Sequence, residues 1–239
     1  MKRLLLVIFL SNVLLITNAQ QLSVETKTVK DQEGIELDAW VAHLDQTPDE
    51  CMESYDDFMR EIFDKKTDKL NKTTRIVTRT QFHELSRLRI DQRAFFIAES
   101  AGTAVAFTFS PGYDVHFSNT TYTEEFKNGE RFVKSFVKFH YKDFYNKKIK
   151  TIQETIADKE STIQSNDKKI EKNKKSILDN TKDIDKGSSD AGKLKIKNES
   201  MEKENLSLTG NTSKERAELI ILQEQLAKLN ESLKKVEEF

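Results

Sequence analysis

The chain has 239 residues, a third of them charged, with 39 basic against 40 acidic. A balance that even argues against a nucleic-acid binder, since the most basic stretch, Lys168–Lys175, interleaves with Asp167 and Glu171 and lacks aromatics, and a single cysteine excludes an internal disulfide framework. With only two prolines and seven glycines, long stretches are free to run as uninterrupted elements.

The N-terminus reads as a secretory leader: Lys2 and Arg3, an apolar run from Leu4 to Ile16, and the small-residue exit Thr17-Asn18-Ala19. That run falls short of the ~20 residues that span a bilayer, so residues 1–19 are expected to be a signal peptide rather than an anchor. Cleavage after Ala19 leaves 37 basic against 40 acidic residues and no integral membrane span. No cysteine follows the apolar run to carry a lipid. The mature chain is expected to be soluble and exported, to the periplasm first and the exterior second.

Residues 20–120 have mixed periods and read as a small α+β domain. Leu22, Val24 and Thr26, then Ile35, Leu37, Ala39 and Val41, alternate with polar neighbours around Gln32-Glu33-Gly34, the pattern of a strand pair. Thr47-Pro48-Asp49-Glu50 is a helix start, with a Thr cap, Pro in the first turn and Glu three residues after the cap. Met52, Tyr55, Phe58, Met59, Ile62 and Phe63 then form one apolar helical face. Thr73–Thr80 is β-rich, and Phe82–Leu88 is expected to be a short helix. Residues 93–100 and 103–110 form a hairpin around Ala101-Gly102, with Val105, Phe107 and Phe109 on one face and Ala104, Ala106 and Thr108 on the other. Ser110-Pro111-Gly112-Tyr113 suits a type II turn, and Tyr113–Phe117 a last short strand.

From about Thr121 the period becomes helical, with Phe126, Val133, Phe136, Val137, His140 and Phe144 at three- and four-residue spacing and Gly129 as a weak point. The helical region is 121–239, and within it 141–239 reads as an antiparallel coiled-coil hairpin turning at 187–192. Ile149, Ile156, Ile163, Ile170, Ile177 and Ile184 recur every seven residues. After Gly187-Ser-Ser-Asp-Ala-Gly192, Leu194, Met201, Leu208, Leu222 and Leu229 keep the same period. Folded at Ser189, five of the six isoleucines meet an apolar residue while Ile163 faces Glu215, and the paired residue numbers have a constant sum of 378. Asn180 with Asn198, and Asn173 with Asn205, obey the same rule and make two polar layers. An isoleucine set against asparagine by a half-heptad slip would bury an unpaired amide at a cost of about 1–3 kcal/mol, so the asparagines fix register at the expense of stability. The same surfaces would pair between two chains, so monomer and homo-oligomer are both open, and isoleucine over asparagine also fits a parallel trimeric stalk.

Motifs for chemistry are sparse. Gly187 to Lys193 has the spacing of a phosphate-binding loop up to the lysine, but Leu194 stands where a hydroxyl is needed and no apolar strand precedes it. Helix–helix turning is the better account of the two glycines. His43, His83, His116 and His140 have no second ligand at a metal-site spacing. Asp114 and His116 are the one candidate site, two groups expected to share a strand face. Cys51 lies on an apolar helix face and is expected to be buried. The sequons at Asn71, Asn119, Asn198, Asn205, Asn211 and Asn230 follow from a Lys- and Asn-rich composition, and Asn198 and Asn205 fall at the seam. No catalytic, cofactor-binding or metal residue is assigned.

The leader ending at Ala19-Gln20, the small α+β domain with its Thr103–Tyr113 strand and glycine turn, and the Lys/Glu-rich helical tail together resemble a group of exported proteins of Bacteroidota. The resemblance covers the whole chain, is architectural, and implies an address outside the cytoplasm, with no activity to carry over. The expected function is that of a non-enzymatic structural or interaction protein whose hairpin reaches or binds a protein partner in the envelope. A periplasmic holdase chaperone is the alternative, and the trimeric stalk a second.

Overall fold

The computed structural model describes residues 22–31 and 33–239; the leader lies outside them. The architecture is α+β, with six strands and a helix followed by two long helices. The strands are β1 (Val24–Lys30), β2 (Glu36–Leu44), β3 (Asp68–Asn71), β4 (Thr74–Gln81), β5 (Arg89–Glu99) and β6 (Gly102–Ser110). Helix α1 (Pro48–Phe63) follows β2, and α2 (Thr123–Asp185) and α3 (Ala191–Glu238) close the chain. The chain divides into two compact units, one of residues 22–141 with Phe239 and one of Lys142–Glu238. The stretch of α2 from Thr123 to Tyr141 therefore belongs with the sheet.

In the globular unit the order is β1-β2-β6-β5-β4-β3, and each neighbouring pair is antiparallel. Trp40 stands opposite Phe107 and Val41 opposite Ala106, so period-two alternation sends Phe107, Val105 and Phe109 to one face and Ala104, Ala106 and Thr108 to the other. The first face carries the larger core. Tyr55 of α1, with Phe132 and Phe136 of α2, meets Phe96, Phe107 and Phe109 at ring-centroid distances of 5.4–5.9 Å, and Phe58 of α1 packs on Phe132 and Phe136 at 5.5 Å. Edge-to-face packing of this kind adds about 0.5–1.5 kcal/mol per pair beyond area burial. On the second face Phe95 and Val41 join the small Ala39, Ala104 and Ala106 in a compact apolar cluster.

Helix α1 begins as its sequence dictates. Thr47 accepts from the Glu50 backbone N–H, and the Glu50 carboxylate accepts from the Thr47 N–H at 2.9 Å, a complete capping box. It stops at Asp64, whose left-handed φ of 53° turns the chain out.

Several sequence expectations are corrected. Residues 82–88 form one hydrogen-bonded turn, with the Leu85 and Ser86 N–H groups on the Phe82 carbonyl, and not a helix. Buried Phe82 and Leu85 pin that turn, and the chain enters β5 at once. Strand β3, four residues at the sheet edge with exposed Leu70 as the lone apolar one, has no apolar alternation to announce it. Beyond Ser110 there is only the isolated bridge Gly112–Val115 where a strand was expected. Gly129 is a close approach and not a weak point: a Cβ there would lie 2.8 Å from the Phe109 ring and 3.0 Å from Trp40. Trp40 stacks on Phe126 at 5.4 Å and donates its indole N–H to the Phe126 carbonyl at 2.7 Å.

In the second unit the rest of α2 and all of α3 form the helical hairpin. Gly187, at φ 79°, closes α2 in the left-handed conformation, with the Ser188 N–H on the Asp183 carbonyl and the Gly187 N–H on the Ile184 carbonyl. The Ala191 N–H then bonds the Ser188 carbonyl and the Leu194 N–H the Asp190 carbonyl, which starts α3.

Candidate functional site

The hairpin seam is defined by its polar layers. Asn173 Nδ2 donates to Asn205 Oδ1 at 3.0 Å and to Glu204 at 2.8 Å. Asn180 Nδ2 donates to Asn198 Oδ1 at 2.7 Å, and Asn198 donates to Thr181 Oγ1 at 3.4 Å. These bonds set the register at a constant sum of 378 within a single chain. Along the apolar stripe Ile149 and Leu229 are buried, while Ile156, Ile163, Ile170, Ile177, Ile184, Leu194, Met201, Leu208 and Leu222 are half-buried. Half-burial is what two helices without a third can give. Away from the base, where Ile149, Ile152, Leu229 and Val236 lie, the buried side chains of the hairpin are polar: Asn173 and Thr212.

Between these regions sits an ion cluster that heptad reading of the isoleucines passes over. Lys159 Nζ lies 2.7 Å from Glu215 and also bonds Glu218, with its own side chain only 15% exposed. Burial alone would pull the ammonium down, but the two carboxylates outweigh it and hold it above the ordinary lysine value. The signal was present: by the 378 rule Lys159 faces Leu219, with Glu215 and Glu218 on the neighbouring turn. Asp167–Arg216 at 3.0 Å and Lys169–Glu204 at 2.6 Å extend the cross-helix pairing.

On the flank of this middle stretch an open groove of about 620 Å³ has Ile163 and Leu219 at its floor and Glu160, Asp167, Lys168 and Arg216 at its rim. A second of about 370 Å³ shares Asp167 and Arg216 with it and is lined by Ile170 and Thr212. The Thr212 hydroxyl is buried with no hydrogen-bond partner among the described residues. The hairpin thus offers a side-by-side apolar floor and charged rim at its polar middle.

In the globular unit Asp114 and His116 do not share a strand face. Asp114 is exposed in a left-handed turn position at φ 56°. His116 is half-buried, and burial, then the nearby Arg93, holds its imidazole below the ordinary value. The pair has no hydrogen bond that would make a proton relay. A different histidine has the richer setting. His43 on β2 places Nδ1 2.8 Å from Glu99 on β5 and Nε2 3.0 Å from Glu25 on β1. The Glu99 hydrogen bond, helped by Glu25, raises its pKa against the opposing effect of burial. The carboxylates sit on opposite sides of the ring, so one cation could not take both and a ring nitrogen. Among the described residues no His, Cys, Asp or Glu cluster is arranged to hold a metal.

Cys51 is fully buried, and burial pushes its thiol up to about 12. Its Sγ donates to the Gln46 carbonyl at 3.7 Å, which also accepts from Thr103 Oγ1 at 2.7 Å, while the Gln46 side chain meets His140 Nε2 at 2.8 Å. A protonated thiol without access to solvent is no nucleophile, and this network ties α1, β6 and α2 together. In the hairpin turn Lys193 pairs with Asp190 at 3.0 Å and Gly187 is a helix cap, so the loop presents no phosphate cradle.

Among the described residues no helix is long and apolar enough to cross a membrane. No family model, no curated protein and no solved structure matches the chain.

Proposed function

We propose that the chain is a non-enzymatic interaction protein of the cell envelope, periplasmic first and secreted second, whose hairpin engages a protein partner. The observation that carries this reading is the combination of a long closed hairpin with buried asparagine layers and an apolar-floored groove at its middle. From Lys142 to Asp185 the first arm extends about 65 Å at 1.5 Å per residue. A hairpin built only for stability would bury leucine where Asn173, Asn180, Asn198 and Asn205 stand. Polar layers hold register while leaving the distal arms easier to open, which suits a partner that inserts or pairs there.

The test is excision of residues 160–215, with the base closed by a short loop. The globular unit should keep its melting transition while partner crosslinking in intact cells is lost; retained crosslinking refutes the role. The holdase reading draws on Leu178, Ile196, Leu206, Ile220 and Ile221, which stand 42–75% exposed on the hairpin. Suppression of aggregation of an unfolded client at near-stoichiometric amounts would favour it. The trimeric stalk draws no support from asparagines paired within one chain, and light scattering that reports a trimer would revive it.

A further inference from the structure

We propose that one end of the sheet is a docking surface for an acidic protein partner, gripped by Tyr113 and by Arg79, Arg87 and Arg89. The proposal deepens the interaction reading by assigning a surface on the globular unit. The strand order brings together the turn after β1, the segment between β4 and β5, and the segment after β6. Neighbouring strands lie about 4.8 Å apart, so these loops spread across roughly 20 Å.

Two independent features converge there. The first is backbone strain. Of the five non-glycine residues with left-handed φ among the described residues, Arg79, Tyr113, Asp114 and Tyr122 lie at this end. The Val115 N–H bonds the Gly112 carbonyl at 3.2 Å and closes a tight turn with Tyr113 at φ 58° and Asp114 at φ 56°. Such a turn selects Asn-Gly when geometry alone matters. A tyrosine and an aspartate held there by their surroundings indicate a position kept for what it presents. The base of the turn is fixed: Ser110 Oγ donates to the Val115 carbonyl at 2.6 Å and accepts from the Gly112 N–H at 3.0 Å, and Phe117 is fully buried beside it.

The second feature is unspent binding chemistry. Tyr113 is 99% exposed, with Tyr122 at 41% and Leu88 at 40%. A lone exposed ring is ordinary, but Arg79, Arg87 and Arg89 are also exposed and have no ion pair among the described residues. Two acids beside them are engaged: Asp91 accepts from the Arg79 backbone N–H at 2.8 Å, and Asp31 pairs with Arg93 at 3.8 Å. Tyrosine and arginine are the residues that dominate protein interfaces, and a rigid turn loses little entropy on docking. Exposed Glu84 and Asp114 lie among these groups. A uniformly anionic lipid or nucleic-acid surface would be repelled by them, whereas a protein can place its acids opposite the arginines alone.

The test installs a photo-crosslinking phenylalanine derivative at position 113, with position 97 on the opposite end of β5 as control, in cells producing the full chain. The crosslinked peptide is identified by mass spectrometry. The expected result is one protein peptide with acidic residues near the attachment point, formed from 113 and not from 97. Arg79→Glu/Arg87→Glu/Arg89→Glu should lower its yield at least tenfold with an unchanged thermal melt of the purified variant. If that variant melts early, Arg87→Glu/Arg89→Glu takes its place. Equal products from 113 and 97, yield unaffected by charge reversal, or attachment to lipid, glycan or a second copy overturns the proposal. Absence of a product at 113 while a probe at position 164 of the hairpin finds a partner overturns this surface alone; absence at both overturns the interaction reading with it.

Discussion

Replacing Asn173 and Asn205 by leucine, singly and together, tests whether the hairpin trades stability for register. Asn173 is 8% exposed and Asn205 half-buried. A fully buried leucine contributes about 1.5–3 kcal/mol, so the double replacement gains roughly 2–4 kcal/mol with the second site counted at half. It loses the bonds of Asn173 to Asn205 and Glu204, worth about 0.5–1.5 kcal/mol each. The double variant should therefore be the more stable protein by about 1 kcal/mol. Each single variant sets an amide against an isobutyl group, and that unsatisfied group costs about 1–3 kcal/mol, which cancels the leucine's gain. The cycle should show a coupling of about 1–3 kcal/mol. Amide exchange by mass spectrometry on peptides covering 166–180 and 198–212 reads it directly, since 1.4 kcal/mol is tenfold in the opening constant. Additivity within about 0.5 kcal/mol, or slower exchange in both single variants than in the parent, refutes the reasoning.

Exchange should also be graded along the arms, slower at 145–156 and 219–236 than at 160–215, because the fully buried apolar residues lie at the base; uniform protection would contradict this. His43 makes strand β1 pH-dependent. Its pKa is raised by Glu99 and Glu25, with Lys27 the other charged group facing it, so its contribution is full below about 6.5 and is lost as pH rises through the higher folded value. Exchange in residues 22–30, corrected for intrinsic rates, should be faster at pH 8 than at pH 5.5, and His43→Gln should abolish the difference. The site is partly exposed, so the effect stays under about 1 kcal/mol. Gly129→Ala should destabilise the globular unit by up to about 2 kcal/mol in urea and shift Trp40 emission. Alanine's helix preference of roughly 1 kcal/mol is outweighed by overpacking of about 1–3 kcal/mol against Phe109 and Trp40; an unchanged midpoint and spectrum would show that the rings give way freely.

The parts of the fold legible in the sequence are those where one local rule decides. Thr47 to Glu50 carries its own capping chemistry, and the Ala101-Gly102 hairpin is bracketed by alternating apolar residues. The asparagine layers follow from a seven-residue period and one turn. Illegible were elements decided by tertiary context. Strand β3 exists because β4 offers it an edge, the 82–88 turn because Phe82 and Leu85 have a core to enter, and Gly129 because two rings occupy its Cβ space. Asp114 and His116 fit a strand alternation in the sequence, but the left-handed pair Tyr113-Asp114 breaks that alternation before His116. The His43 clasp joins residues 18 and 56 positions away, and no spacing rule reaches across three strands.

Lys159 completes the account of how this hairpin is specified. The asparagine layers reject a half-heptad slip but not a full one, since a shift of seven residues would still set Asn173 against Asn198 or Asn180 against Asn205. The ion cluster discriminates where the amides do not. A seven-residue shift takes Glu215 and Glu218 away from Lys159 and brings Leu208 and Asn211, or Leu222 and Gln225, in their place. A largely buried ammonium would then lack a carboxylate, and loss of one partner of such a pair is strongly destabilising. The Lys169–Glu204 and Asp167–Arg216 pairs would break in the same shift. Amides thus fix the phase of the two helices and charges fix the heptad, so the turn at 187–190 is not needed to choose the alignment. Cleavage of the chain within that turn should leave both arms paired in the same register, with Asn173 and Asn205 still crosslinkable after replacement of each by cysteine. Crosslinking of Asn173→Cys to Asn198→Cys in the cleaved protein would show instead that the turn alone holds the alignment.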